Sequence, residues 1–557
     1  MSTRLASPTT DLQSRYDVVV IGSGYGGGVA ACRLARAGKS VCLLERGAER
    51  MPGEYPDDAV ALLKEIQLDT PAFHAGSRTA LFDIRYNKDI NVVVGCGLGG
   101  TSQINAGICL RPDAAVFASE SWPAQLRDGL STLAPYLDAA EAMLKPAIAP
   151  AQYLQSAKTL ALQGAAGALD KPIRPVPVLV NFEPLPNGTN HAGVGQTPCV
   201  GCGDCVSGCN HSAKNTLIMN YLPDAKAHSA KLFTHTVVRS VKRVGEGWRV
   251  TGKIIDDGGD DADFETEASI VVLAAGTLGS TEILLRSAEA GLSLSKRLGH
   301  GFSGNGDTVG FAYDTDRVVN GMGLGDRDAK TGAVPGPCST AMIDLRVPGD
   351  PAGGMVMEDG AIPGALAVLA APLLAIDAKL FGKYVDERFG HFIKRKFGEA
   401  LGAFRGPYSG PARNTLFFLL MAHDDSQGQM RLEEDRLRIS WPGLGLQPQF
   451  EKASRMLARA SAGLRGAYLA NPIWNRFTDH NMISGHPLGG CLMADAAERG
   501  VVNHKGQVFS SEAGTMVHPG LYVMDGSIVP AALGINPLLT ITALAERSCQ
   551  ELLRDHC

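Results

Sequence analysis

Short, densely apolar runs alternate along the chain with glycine-rich turns. Residues 16–21, YDVVVI, are a β-branched run bounded by polar positions. GSGYGGG follows at 22–28, then VAACRLARAGKS with apolar residues at helical spacing, then VCLLERG as a second apolar run. Strand, turn, helix and strand thus succeed one another within about 30 residues, the layout of a βαβ unit. INVVV at 90–94 predicts a strand running into a second glycine-rich stretch, GCGLGGTSQINAG at 95–107. IVVLAAGTLGSTEILL at 270–285 predicts a strand, a small-residue turn and a helix. LYVMDGSIVPAALGINPLLTITALAER at 521–547 predicts a strand, a loop and a closing helix. In 429–441, QMRLEEDRLRISW, apolar positions alternate around a polar turn, which predicts a hairpin in an antiparallel sheet lining a substrate cavity.

The first glycine turn sits where a dinucleotide fingerprint needs it. Gly22 permits the tight turn, Gly24 lets the backbone approach a pyrophosphate, and Gly27 lets the helix pack closely on the strand. The helix N-terminus then offers free N–H groups to negative charge. Glu45 ends the second strand, where a carboxylate accepts hydrogen bonds from a ribose 2′-hydroxyl. That favours an unphosphorylated ribose and does not separate NAD from FAD. The second glycine loop, so close to the first, suits a long cofactor whose pyrophosphate and ring system are wrapped separately.

At this second loop the sequence resembles the glucose-methanol-choline (GMC) oxidoreductases, in particular their cholesterol-oxidase-like branch. Their GxGxGG(T/S)xxxNxG loop matches Gly97, Gly100, Thr101, Asn105 and Gly107. Trp122 and Pro123 resemble the pair that follows it, and 270–285 matches another family segment. HPLGGC at 486–491 and the 521–547 segment come in the order that ends such chains. The resemblance runs from about residue 16 to the C-terminus, with insertions. It implies an α/β fold: a discontinuous Rossmann-type FAD-binding domain (10–120, 210–310 and 480–557) and an α+β substrate-binding cap (121–209 and 311–479) with an antiparallel sheet. It places Val237 and Val238, which end a strand TVV, against the adenine. Asp525 and Gly526 would hydrogen-bond the pyrophosphate or ribityl chain, and Asn536 and Pro537 would open a helix near the flavin pyrimidine carbonyl.

Oxidising an alcohol removes a hydroxyl proton and a carbinol hydride, and FAD accepts the hydride. A neutral imidazole suits the proton near neutral pH. The resemblance assigns that task to His486, with Asn536 polarising the same oxygen or bracing the flavin edge. Cholesterol-oxidase-like proteins also carry an active-site glutamate that serves double-bond isomerisation. MEDGAIP at 357–363 resembles that segment, making Glu358 the candidate, with two extra residues before the proline and Asp359 next door as an alternative.

Cys199, Cys202, Cys205 and Cys209 have Cys-x2-Cys-x2-Cys-x3-Cys spacing, the interval set of ferredoxins. They are candidate metal ligands for an iron–sulfur cluster, which would carry electrons to an external acceptor. Asn210 stands where ferredoxins place proline, and the second cysteine set of two-cluster ferredoxins is missing. A loop of reduced thiols or a redox-labile pair is the other reading. Zinc fits these short intervals less well.

With 557 residues, two domains are expected, and the 45% apolar and 20% charged fractions are those of an ordinary globular chain. A formal charge of −5 gives no footprint for nucleic acid. The polar N-terminus lacks the apolar core of a signal peptide, and no apolar run reaches bilayer length, so a cytoplasmic location is expected. The run 361–376, broken by Pro363, Gly364 and Pro372, reads as buried or interfacial. Beyond it, 378–398 combines Phe381, Val385, Phe389, Phe392 and Phe397 with Lys379, Lys383, Lys394, Arg395 and Lys396, which suits a cap helix or peripheral membrane contact. The leading expectation is FAD-dependent oxidation of a lipophilic alcohol, a sterol 3-hydroxyl first, with O₂ or an external carrier as acceptor. The alternative is an FAD and iron–sulfur dehydrogenase of another lipophilic alcohol, feeding a quinone or protein carrier.

Overall fold

The computed structural model describes residues 4–256, 258–327, 333–382, 407–475 and 478–556. Arg15–Ile21 is exposed at its start and buried on both faces at its apolar end. That is the pattern of a central parallel strand, and it pairs in parallel with Val41–Leu44 on one side and Ala262–Leu273 on the other. Lys231–Phe233 extends the parallel run beyond Val41–Leu44, and Val517–Val523 extends it beyond Ala262–Leu273. The N-terminal half of Ala262–Leu273 leaves this arrangement and pairs antiparallel with Gly247–Ile254, which in turn pairs with Thr236–Val244. With Gln507–Phe509 the sheet has eight strands.

Two helices that the glycine turns introduce flank this sheet. Tyr25–Arg36 is buried along most of its length. It packs against Leu538–His556, where Arg33 forks onto Glu546 through two 2.7 Å hydrogen bonds. The helix lies hard on the sheet: a Cβ on Gly27 would come within 1.9 Å of the Gly22 carbonyl oxygen. Gly22 itself has φ +94°, a left-handed conformation that favours glycine.

A six-stranded sheet, antiparallel throughout, has the order Ala467–Ala470, Thr308–Tyr313, Leu416–Met421, Val356–Gly360, Ala341–Asp344, Ile173–Pro175. Side chains alternate across it. Met357, Phe418 and Leu420 enter a core shared with helices Ala157–Ala168 and Pro448–Gly463. Glu358, Phe417 and Leu419 therefore face the other way, into the main cavity.

The hairpin expected in 429–441 forms, as Gly428–Glu433 against Arg436–Ser440. It belongs to a separate three-stranded sheet with His300–Phe302, and only its turn, Glu434 to Arg436, reaches the cavity. The six-stranded sheet contributes Glu358, Phe417 and Leu419 to the cavity wall, and the five-stranded sheet containing Ile90–Gly95 and Phe82–Arg85 lines another part of it. The apolar run 361–376 becomes part of helix Gly364–Phe381. The remainder of 378–398 lies outside the described residues. Among the described residues, no helix is long and apolar enough to cross a membrane.

Candidate active site

A cavity of about 1120 Å³ runs from the C-terminal edge of the parallel sheet to the face of the antiparallel one. Gly22, Gly24 and Glu45 line its sheet end. A Cβ on Gly24 would meet nothing within 4 Å, so the turn leaves open space above the start of the helix. Glu45 is buried and braces the turn: Ser23 N (3.1 Å), Ser23 Oγ (2.6 Å) and Gly47 N (2.8 Å) donate to its carboxylate. Burial raises its carboxyl, and these donors oppose that rise.

The second glycine loop sits directly on the first. A Cβ on Gly100 would lie 2.8 Å from the Gly24 Cα, and Gly99 N donates to Ser23 Oγ at 2.8 Å. Gly100, Thr101, Asn105 and Gly107 all line the cavity. Gly97 does not; it lies behind the wall, where it gives room to Gly47, whose Cβ would meet Gly97 N at 2.2 Å. Asn105 Nδ2 donates to the Tyr25 hydroxyl at 2.8 Å, while its buried Oδ1 has no partner.

Val238 and Val237 line the cavity beside the 237–240 bulge. Asp525, Gly526, Asn536 and Pro537 line it too. The Asp525 carboxylate is held by the chain itself. Gly276 N, Ser280 Oγ, Ser527 N and Ser527 Oγ all donate to it at 2.5–2.9 Å. It pins the start of helix Gly276–Glu289.

At the far end three predicted residues meet. His486 follows strand Met482–Ser484, and its Nδ1 lies 2.9 Å from Asp307 Oδ1. The other oxygen of Asp307 accepts from Ser484 Oγ (2.9 Å), Gly485 N (3.0 Å) and His486 N (3.2 Å). Desolvation lowers the proton affinity of the imidazole, but the Asp307 charge and hydrogen bond, with Glu358 adding, turn the net shift upward. With Nδ1 donating to Asp307, Nε2 of the neutral ring is left as the acceptor.

Glu358 is fully buried, and Asn536 Nδ2 donates to its Oε2 at a long 3.4 Å. Burial lifts its carboxyl to about 8; the nearby acids Asp359 and Asp307 add to this, and His486 and Asn536 partly offset it. Glu358 Oε1 and Asn536 Oδ1 are buried without a partner. Asp359 points to the other side of its strand. Lys158 Nζ, Ser339 Oγ, and the backbone N–H groups of Thr340 and Ala341 bind it, so it is a structural ion pair and not the alternative acid.

The four clustered cysteines lie apart from the main cavity. Cys199, Cys202, Cys205 and Cys209 line a small separate cavity with His211 and Lys214. Among the described residues, no three His, Cys, Asp or Glu side chains are placed to hold a metal ion. The sulfurs instead take backbone donors: Gly201 N to Cys199 Sγ (3.3 Å) and Cys338 N to Cys205 Sγ (3.5 Å). Lys214, from the AKNT that trails the cysteines, is buried and ties the Cys205 and Gln103 carbonyls together at 2.9 Å each, joining this segment to the second glycine loop.

Asp307, Lys158, Lys214 and Tyr25 had no signal in the chain. Asp307 stands 179 residues from the histidine it holds, and only the fold joins them.

The open space above Gly24, the ribose-type acceptor Glu45, and two orphaned carbonyl oxygens, on Asn105 and Asn536, fit an FAD along this cavity. A dinucleotide fold that continues into a closed histidine–asparagine–glutamate end is the build of an FAD-dependent alcohol oxidoreductase. The chain belongs to the GMC oxidoreductase family, whose N-terminal region matches residues 16–302 and whose C-terminal region matches residues 445–545. It is 27% identical over 584 residues to a cholesterol oxidase of Acinetobacter baumannii, covering 97% of this chain and 95% of that one. It is 23% identical over 561 residues to a long-chain-alcohol oxidase of Arabidopsis thaliana, covering 96% of this chain and 67% of the relative. Among solved structures, pyridoxine 4-oxidase from Mesorbium loti superposes with a TM-score of 0.59 at 16% identity, covering 97% and 99% of the two chains.

Proposed function

We propose that the protein oxidises a lipophilic alcohol, with a sterol 3-hydroxyl as the leading substrate class and O₂ as the acceptor. One observation carries the reading: His486, Asn536 and Glu358 meet at the end of a cavity whose adjoining walls are apolar, with Val206, Ala361, Pro363, Leu366, Phe417 and Leu419. Gly22, Gly24, Glu45, Gly100, Asn105, Val238, Gly526 and Asn536 would hold the FAD, and bound FAD supplies the hydride acceptor.

The residues of the chain do the rest. His486 Nε2 takes the hydroxyl proton as the carbinol C–H bond breaks, so the alcohol leaves as a carbonyl compound. Asp307 fixes the ring and stabilises the imidazolium that forms, as a buried carboxylate behind a catalytic histidine does. The Asn536 side chain orients the substrate oxygen. Glu358, kept neutral by burial, puts no second negative charge beside the departing proton. Were it also to move a proton between carbons of a sterol product, it would work as the carboxylate, which becomes populated toward pH 8.

A long-chain primary alcohol is the second reading, favoured by the likeness to the Arabidopsis enzyme. Anaerobic mixing of the purified flavoprotein with cholesterol, and separately with a long-chain primary alcohol, discriminates. Cholesterol should bleach the flavin absorbance, and readmitted air should restore it with release of hydrogen peroxide. Bleaching by the linear alcohol alone would discard the sterol assignment, and bleaching by neither would discard the lipophilic one.

A further inference from the structure

Helix Gly364–Phe381 is built inside out. Its inward stripe is Ala367, Ala371, Leu374 and Ala378, mostly small residues, packed on Tyr313, Ala467 and Leu469. Its outward stripe is Leu366, Leu369, Leu373, Ile376 and Leu380, at the same alternating spacing of three and four. These five and Val368 are between 36% and 66% exposed. A helix on a water-facing surface normally does the reverse, placing its large apolar side chains inward and polar ones outward.

The neighbouring helix Ala59–Lys64 packs beside it and adds Val60 and Leu63, both more than half exposed. Together they form one apolar surface, larger than scattered exposed residues produce.

The location decides the occupant. Leu62 of the shorter helix, and Pro363 and Leu366 at the start of the longer one, line the main cavity. The start of the long helix is fixed, since Gly364 N and Gly325 N donate to the two oxygens of Asp204 at 2.7 and 2.9 Å. The apolar surface is therefore continuous with the wall of the cavity. A second copy of the chain seated there would close on Leu366, and so on the route to the site. A lipid phase would cover the same surface and still pass an apolar solute inward.

We propose that the outward faces of Gly364–Phe381 and Ala59–Lys64 dock on a lipid bilayer and draw the substrate from it into the cavity. The long helix, about 27 Å at 1.5 Å per residue, lies along the interface, because its alanine stripe is held by the protein. The proposal rests on the lipophilic-alcohol reading for its purpose, but vesicle binding is measured without turnover.

The test is co-sedimentation of the full-length flavoprotein with phosphatidylcholine vesicles, comparing wild type with the double variant Leu373→Glu, Ile376→Glu. Neither residue lines the cavity. Wild type should sediment with the vesicles, and the variant should partition on the order of 100-fold more weakly with its flavin spectrum unchanged. If the glutamates cost the protein its flavin, Leu373→Ser, Ile376→Ser replaces them and the same loss is expected. The proposal is overturned if wild type stays in the supernatant, or if a folded variant binds as well as wild type. A wild-type dimer that the variant dissociates would overturn it too, since the face would then be a contact between copies. Vesicle binding without oxidation of any lipophilic alcohol would leave the docking surface standing and remove the substrate reading instead.

Discussion

Replacing Glu358 by glutamine tests the electrostatics of the site through stability. The carboxyl is fully buried, one oxygen has no partner, and the other has a single 3.4 Å hydrogen bond. Burial lifts it from 4.5 to about 8. The sign follows from proton counting. Between these two pH values the folded chain holds a proton that the unfolded chain has released. Unfolding is then favoured as pH rises, so stability is full below 4.5, falls across the window and levels off above 8. The gap corresponds to a loss of about 5 kcal/mol, at roughly 1.4 kcal/mol for each tenfold change in proton affinity. Glu358→Gln keeps the shape and cannot ionise, so it lacks this component. Urea unfolding of the holoprotein at pH 5, 7 and 9, followed by tryptophan fluorescence and flavin release, gives the difference between the two proteins. Other titrating groups are common to both and largely cancel. The variant should match wild type to within about 1 kcal/mol at pH 5 and exceed it by several kcal/mol at pH 9. Parallel pH dependences would refute the reasoning, because they would mean that the folded protein already holds Glu358 ionised.

Three further perturbations follow from the geometry. Asp307→Asn removes the charge that raises the His486 imidazole; kcat should fall about 10- to 100-fold, and the acidic limb of the kcat/KM profile should move to lower pH. An unshifted limb would show that Asp307 does not hold the ring. Gly27→Ala forces a Cβ to within 1.9 Å of the Gly22 carbonyl oxygen, so the purified protein should carry much less flavin per chain, read from its absorbance ratio. Lys158→Met leaves Asp359 charged and buried without its counter-ion and should destabilise the fold by about 3–5 kcal/mol in the same urea assay; a change under 1 kcal/mol would contradict the buried-pair description.

The parts of this molecule that the sequence made legible are local ones. The strand–glycine–helix unit at 16–47 is written in consecutive residues, and so is the second loop, because each turn needs its glycines at fixed offsets. The His486 and Asn536 positions were legible only through resemblance. Glu358 was readable as an acid in a matching segment, but its direction came from alternation along a strand whose register is set by partners at 341–344 and 416–421. The same alternation sends Asp359 to Lys158, two positions that nothing in the chain connects. Helix Gly364–Phe381 was visible as an apolar run, yet which of its faces meets water depends on the surface of Tyr313, Ala467 and Leu469 that takes its alanines and Leu374. The cysteine intervals were the most specific-looking signal, and the fold brings all four to one small cavity; spacing alone does not fix how the thiols are aimed there, and among the described residues no three such side chains are placed to hold a metal ion.

The strands of the parallel sheet are gathered from residues 15–21, 41–44, 231–233, 262–273 and 517–523, and the cavity wall runs from Ile21 to Ile541. A chain emerging from the ribosome has its first glycine turn long before the last parallel strand and the closing helix follow it. Cofactor capture is therefore a late event, dependent on long-range closure, and the half-made chain exposes an unpaired sheet edge in the interval.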